Sequence, residues 1–154
     1  MTGPTATIAT PADRPEVSAL RHRVFVLEQG VPVDLERDDA DATAVHALSR
    51  GPSGELAGRV LATGRLLLDA AGPGRAVIGR MATDPAARGR GHGAAVLALL
   101  QREAAARGQT AVELHAQVRA QRFYERAGYV RVGEEYQEAG IAHVTMRRDL
   151  PEPL

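Results

Sequence analysis

The chain contains no cysteine, which excludes disulfides, thiolate metal sites and any covalent acyl-cysteine intermediate. Lysine is missing too: all 19 basic residues are arginine. Schiff-base chemistry and a P-loop lysine are therefore excluded. The five histidines, His22, His46, His92, His115 and His143, show neither an H-x-x-H nor an H-E-x-x-H spacing, so no metal site is expected. Formal net charge is zero, without the basic footprint of a phosphate-driven nucleic-acid binder. No apolar run approaches the ~20 residues of a membrane span. The opening "MTGPTATIATPADRPEV" has neither a basic start nor a continuous apolar stretch, unlike a secretory signal. The expectation is a cytoplasmic protein without metal, nucleic-acid or membrane partners.

What remains is ordinary globular material, 44% hydrophobic and 25% charged. The 154 residues suit one domain, able to bury roughly 68–70% of its unfolded surface. "TATIAT" (5–10) alternates and predicts a first strand. Thr10-Pro11-Ala12-Asp13 then predicts a helix start, with Thr as N-cap and Pro at the first helical position. That helix is expected to reach about Gln29, before Gly30 and Pro32, with Val17, Leu20, Val24 and Leu27 as its apolar stripe. An acidic loop (34–43) comes after it. Strands are expected at 44–50, 55–69 and 76–83, joined by turns at 51–54 and 70–75. A helix from about 91 to 107, a strand at 110–116 and a helix at 118–127 come next. Strands near 129–136 and 141–148 complete the order β-α-β-β-β-α-β-α-β-β, and 151–154 reads as a frayed tail.

The stretch "RGRGHGAAV" (88–96) concentrates three glycines at the entry to a helix. It has three readings. It can be a flexible turn and nothing more. It can be a dinucleotide fingerprint, since Gly89-x-Gly91-x-x-Ala94 matches G-x-G-x-x-A and Glu113 lies downstream. Against this, Asp84-Pro85-Ala86-Ala87-Arg88 separates the first glycine from its strand, and only about forty residues come after Glu113. Or it can cradle a pyrophosphate on the amides of Gly89 to Ala94, with Arg88 and Arg90 adding charge. The G-K-[ST] ending that would hold a γ-phosphate and Mg²⁺ is absent. A diphosphate cofactor without transfer at phosphorus, coenzyme A, suits the third reading.

Arg88-Gly89-Arg90-Gly91-His92-Gly93 resembles the [RQ]-x-x-G-x-[GA] acetyl-CoA loop of the GCN5-related N-acetyltransferase (GNAT) superfamily. About thirty residues on, "QVRAQRFYERAGY" (117–129) resembles that family's N-x-x-A-x-x-x-Y-x-x-x-G-[FY] segment, with Ala120, Tyr124, Gly128 and Tyr129 in register. The resemblance covers residues 5–150. "LRHRVFVLEQGVP" (20–32) and "AGIAHVTMRRDL" (139–150) are similar to the ElaA-like subgroup. One departure is Gln117, where many members carry Asn. The resemblance implies a single-domain α/β fold, a mixed and mostly antiparallel sheet of about seven strands with helices on both faces. It also implies an acetyl-CoA-dependent N-acetyltransferase.

In such a fold the fourth strand bulges and splays from the fifth. The resemblance then assigns the pantetheine arm to Met81, Ala82 and Thr83, with the Met81 or Ala82 amide polarising the thioester. It assigns the pyrophosphate to Arg88, Gly89, Arg90, Gly91, His92, Gly93 and Ala94, with Gln117 as a further cofactor contact. Tyr124 would point its hydroxyl at the sulfur as general acid. His92 reads as an occupant of a free loop position. Without a cysteine, an amine must attack the thioester directly, so an alkyl ammonium (pKa about 10.4) has to lose its proton first. Base candidates are Glu28, which with Arg21 flanks the apolar stripe, His115 and His143. The expected acceptor is a primary amine of a small molecule. A protein N-terminus or lysine, and a non-catalytic acyl-CoA-binding module, stay open as alternatives. Asp38, Asp39 and Asp41 read either as a pointer to a cationic acceptor or as a solvated loop. A homodimer is possible on this reading.

Overall fold

The computed structural model describes residues 3–151. The expected tail lies outside the described residues except for Pro151. Eight strands form one sheet: β1 (Ala6–Ile8), β2 (Val45–Arg50), β3 (Val60–Gly72), β4 (Arg75–Thr83), β5 (Ala111–Gln117), β6 (Val130–Arg131), β7 (Tyr136–Glu138) and β8 (Ile141–Asp149). Their order is β1-β2-β3-β4-β5-β8-β6, with β7 also on β8. All pairings are antiparallel except β4 with β5. The segment expected to be one strand at 129–136 is two. Gly133, with φ +86°, turns the chain between them, which raises the count from about seven to eight.

The helices are α1 (Arg14–Arg21), α2 (Val33–Glu36), α3 (His92–Ala106) and α4 (Gln121–Arg126). They cover both faces of the sheet. Val96, Leu97 and Leu100 of α3 pack with Ala47, Ala62 and Leu66, while Val17 and Leu20 of α1 pack with Leu48, Val60 and Ala82. Ala47 and Leu48 are neighbours on β2 and serve opposite layers, as the period of two in a strand requires. The strand expected from 55 starts only at Val60, because Gly54–Leu56 forms a 3-10 turn. β3 runs on through the expected turn at 70–75 to a two-residue hairpin, in which Gly72 pairs with Arg75.

α1 does not continue regularly to Gln29. Residues His22–Glu28 are π-helical, with the Gln29 amide reaching back to the Val24 carbonyl at 3.1 Å. The wider turn rotates the end of this segment out of the α-helical register. Val24 and Phe25 stay buried, whereas Leu27, expected on the apolar stripe, is 70% exposed.

β4 carries a bulge. Arg65 pairs with Gly79 and Thr63 with Ala82, so Arg80 and Met81 face the single residue Gly64. A Cβ on Gly64 would run into Met81 Sδ and lie 3.1 Å from Leu100 Cδ1 and 3.2 Å from Val96 Cγ1. Gly64→Ala is therefore expected to displace the Met81 side chain and to cost about 1–3 kcal/mol, as overpacking does. A urea melt reads this directly, and an unchanged midpoint would show that the bulge repacks freely.

Candidate active site

β4 and β5 pair only at Arg75–Ala111, Ala76–Val112 and Val77–Glu113. Beyond those rungs the strands diverge, and β8 fills the far side of β5 as far as Gln117. The opened slot is part of a cleft of about 1460 Å³, lined by Met81, Ala82, Thr83, the glycine loop, Tyr124 and His143 among others. Strand backbone left unpaired along β4 is thus available to an extended ligand.

At the end of β4 the chain passes through a 3-10 turn (Pro85–Ala87) into the glycine loop. Gly89 (φ +82°) and Gly91 (φ +92°) adopt left-handed backbone, which side chains resist. The amides of Gly89, Arg90, Gly91, His92, Gly93 and Ala94 make no hydrogen bond among the described residues; the first α3 amide to do so is Ala95, to the Gly91 carbonyl at 3.0 Å. Six free donors at the positive end of a fifteen-residue helix fit an anion. Gly93 keeps the cradle open, since a Cβ there would stand 3.1 Å from Thr83 Oγ1. The site therefore suits the diphosphate and extended arm of an acyl-CoA, held on backbone groups.

Tyr124 sits on α4 with its residue only 8% exposed, edge-on to Phe123 (5.0 Å, 81°) and Tyr129 (6.0 Å, 74°). The Tyr129 hydroxyl donates to Gln101 Oε1 at 2.8 Å, whereas the Tyr124 hydroxyl has no protein partner among the described hydrogen bonds. Burial pushes its phenol well above the ordinary range, so it stays protonated.

His143 is buried and lies opposite Gln117 on β5 and Tyr136 on β7. Its Nδ1 donates to the Ile141 carbonyl at 2.7 Å, which leaves Nε2 as the nitrogen that takes or gives a proton. Nε2 is 3.5 Å from Glu138 Oε2, and the Tyr136 ring stacks on the imidazole at 5.9 Å. Gln117 donates to Gln29 Oε1 at 2.7 Å and accepts from Arg119 Nε at 2.9 Å.

The other candidates are placed differently. His115 lies on the cleft wall but is exposed, with Nε2 3.0 Å from Glu113 Oε2. Glu28 forms a two-pronged pair with Arg88 at 2.6 and 2.7 Å. The hydrogen bond from Arg88 holds its carboxyl below the ordinary range. Glu28 and Arg21 do not meet: Arg21 pairs with Glu36 and Asp41, and Glu28 with Arg88. His92 is no free occupant of the loop: it is buried, and its Nδ1 is 2.7 Å from Ser49 Oγ on β2. Burial, then the Arg90 charge, lowers its pKa. Its side chain ties α3 to the sheet while its amide faces the cradle.

A second cluster, which sequence patterns did not reveal, borders the cleft. Arg21 pairs with Glu36 and, at 2.7 Å, with Asp41. Arg65 pairs with Asp41 at 2.8 Å and with both oxygens of Asp38 at 2.6 and 2.8 Å. Arg80 reaches the same segment. Burial raises the Asp41 carboxyl, yet hydrogen bonds from Arg21 and Arg65 outweigh it and hold the group well below the usual range. Asp41 is thus largely shielded from solvent, Asp38 is partly exposed, and the carboxylates of both are committed to arginines of this chain. Only their segregation between α2 and β2 was visible as sequence.

A slot beside a bulged strand, a glycine cradle at a helix start and a buried tyrosine together define a class of acyltransferase. Residues 43–150 match the acetyltransferase (GNAT) domain family, and the chain belongs to it. Within the family it has an ElaA-like relationship. It is similar to Escherichia coli ElaA, with 25% identity, a TM-score of 0.78 and coverage of 94% of this chain and 99% of that one. It is also similar to an acyl-CoA N-acyltransferase from Pseudomonas aeruginosa (34% identity, TM-score 0.78, 95% and 99% coverage). A UPF0039 protein of Mycobacterium tuberculosis is 36% identical over 135 residues, which is 86% of this chain and 82% of that protein. The protein is a GNAT-type N-acetyltransferase, and its fold implies an acyl-CoA co-substrate and an acceptor. Among the described residues, no group of three or more His, Cys, Asp or Glu is placed to hold a metal, and no helix is long and apolar enough to cross a membrane.

Proposed function

We propose that the protein moves an acetyl group from acetyl-CoA directly to a primary amine of a small molecule. The observation that carries this reading is the continuity of one cleft, which joins the free amides at the start of α3, the β4 bulge, Tyr124 and His143. The amides of Gly89 to Ala94 hold the pyrophosphate, with Arg90 beside them and Arg88 anchored on the Thr83 carbonyl at 3.1 Å. Backbone groups of Met81, Ala82 and Thr83 pair with the pantetheine arm as an added strand does. The Met81 or Ala82 amide donates to the thioester oxygen as it gains negative charge.

His143 is the base this arrangement favours. Its Nδ1 is committed to a carbonyl, so Nε2 accepts the proton of the attacking ammonium, and the Glu138 carboxylate 3.5 Å away offsets the positive charge of the imidazolium that results. The amine nitrogen bonds to the acetyl carbon, the carbon–sulfur bond breaks, and Tyr124 donates to the departing thiolate. The apolar lining from Phe25, Val31, Leu35 and Ile141 suits an acceptor with a hydrocarbon body.

The test is a transfer screen of acetyl-CoA against small amines and peptides, read by mass spectrometry, beside calorimetric titration with acetyl-CoA and with NAD. The expected result is acetyl-CoA binding, no NAD binding and acetylation of small amines. Gly93→Val, which fills the cradle, is expected to weaken acetyl-CoA by at least about tenfold. Acetylation confined to peptides would overturn the acceptor class. Tight acetyl-CoA binding by Gly93→Val would overturn the cradle.

A further inference from the structure

Arg80 is the bulged residue of β4, and its backbone is left-handed, with φ +52°. Of the other non-glycine residues with positive φ among those described, Ala139 is in the β7–β8 hairpin turn, and Asp69 lies in the irregular end of β3, held by Gln109 and by the Gly74 amide of the hairpin; Arg80 is held from outside the sheet. Side chains resist this conformation, so something must hold it. The guanidinium does so: Nε donates to the Glu36 carbonyl at 3.0 Å, and Nη2 to the Leu35 carbonyl at 3.0 Å and to Asp38 Oδ2 at 3.3 Å. Leu35 and Glu36 end α2, where carbonyls lack helical partners. That segment is fixed in turn by Arg21, which donates to the same Glu36 carbonyl at 2.9 Å and to Asp41. Arg65, from β3 opposite the bulge, fixes Asp38 and Asp41. On the other side the Met81 sulfur lies over Gly64, and its side chain packs on the core cluster that contains Val96 and Leu100.

We propose that Arg80 is a positioning residue: it clamps the β4 bulge to the acceptor-side segment 35–38 and so aims the Met81–Ala82 amides at the thioester carbonyl. This rests on the proposed function, in which those amides face the thioester. A dipole that stabilises developing charge works only if its direction is set beforehand. Neither neighbouring backbone alone sets it, because the bulge has lost its ladder pairing at this position. The clamp also couples the two halves of the cleft, since Leu35, Glu36 and Asp38 line it with Arg80.

Arg80→Gly separates side chain from backbone, because glycine adopts the left-handed conformation freely while the clamp is removed. Wild type is expected to bind acetyl-CoA more tightly than CoA, the difference reporting the amide contact with the acetyl carbonyl. In Arg80→Gly, CoA affinity is expected to stay within about twofold, the acetyl-CoA advantage to shrink towards nothing, and kcat to fall about tenfold or more with the KM for acetyl-CoA little changed. Turnover is followed by thiol release with the panel amine that reacts fastest; the protein has no cysteine, so every thiol counted is CoA. Arg80→Lys, which reaches one carbonyl and keeps the charge, should fall between the two and stands in if the glycine variant does not fold. Unchanged kcat and an unchanged acetyl-CoA advantage would overturn the clamp while leaving the general reading intact. A wild type that binds no acetyl-CoA would instead overturn the reading on which the clamp rests.

Discussion

Tyr124→Phe is expected to lower kcat by about 10²–10³-fold while changing the affinity for acetyl-CoA by no more than about threefold. The hydroxyl has no protein partner among the described hydrogen bonds, so removing it orphans no buried group. Both edge-on ring contacts, to Phe123 and Tyr129, survive in phenylalanine, and thermal stability should hold to within about 0.5 kcal/mol. The loss falls on kcat because the sulfur needs a donor only as its bond to carbon breaks. A simple thiol has a pKa near 8.5 and a free phenol near 10, and burial moves Tyr124 further up. Proton transfer from this phenol is therefore uphill by at least about 2 kcal/mol. Tyr124 acts first as a hydrogen-bond donor that becomes stronger as thiolate charge grows. Stopped-flow or steady-state thiol release measures kcat, and calorimetry measures binding. A variant that turns over like wild type would remove Tyr124 from the reaction, and one that loses acetyl-CoA binding would make it a packing residue.

The parts of this site that were readable as sequence are those whose physical requirement is local. Gly89 and Gly91 are needed at their own φ values, and the helix that uses them begins at once, so a nine-residue string carries the cradle. Tyr124 and Gly128 are one helical turn apart, the spacing that puts a side chain on the core face and ends the helix. The bulge at Arg80–Met81 had no such signature and came only with the family resemblance. The ionic cluster was misread because its partners are distant: Arg21 and Asp41 are 20 residues apart, Arg65 and Asp38 are 27 apart. An acidic loop and a solvated loop have the same composition. The π-helical turn was invisible for another reason, since Val17, Leu20, Val24 and Leu27 satisfy an α-helical stripe and packing alone decides that Leu27 faces out. His92 shows the converse error. It reads as the occupant of a free loop position, while its imidazole bonds Ser49, 43 residues away, and its amide is one of the six free donors.

Arg21→Met is expected to cost about 3–5 kcal/mol, because it leaves the Glu36 carboxylate buried without its cation. Arg21 and Glu36 are 4% and 5% exposed, so water cannot replace the lost partner. At roughly 2–4 °C per kcal/mol for a chain of this size, the melting temperature should drop by about 6–20 °C. Arg21→Met with Glu36→Leu should recover a substantial part of that loss, since it removes the stranded charge instead of exposing it. Methionine and leucine in this layer would join Val17 and Leu20. Acid acts on the same cluster. Asp38 and Asp41 have carboxyls held below their unfolded value of about 3.9, so their contribution is full above that pH and is lost as pH falls through the lower folded values. In Arg21→Met, Asp41 keeps only Arg65 as partner, and part of that contribution is already gone. The gap in stability between wild type and variant should therefore narrow as pH falls below about 4. Urea melts at pH 7 and at pH 3 to 4 measure both effects. A single variant within about 1 kcal/mol of wild type at pH 7 would mean that Glu36 finds another cation, with Arg80, already bonded to its carbonyl, the nearest to hand.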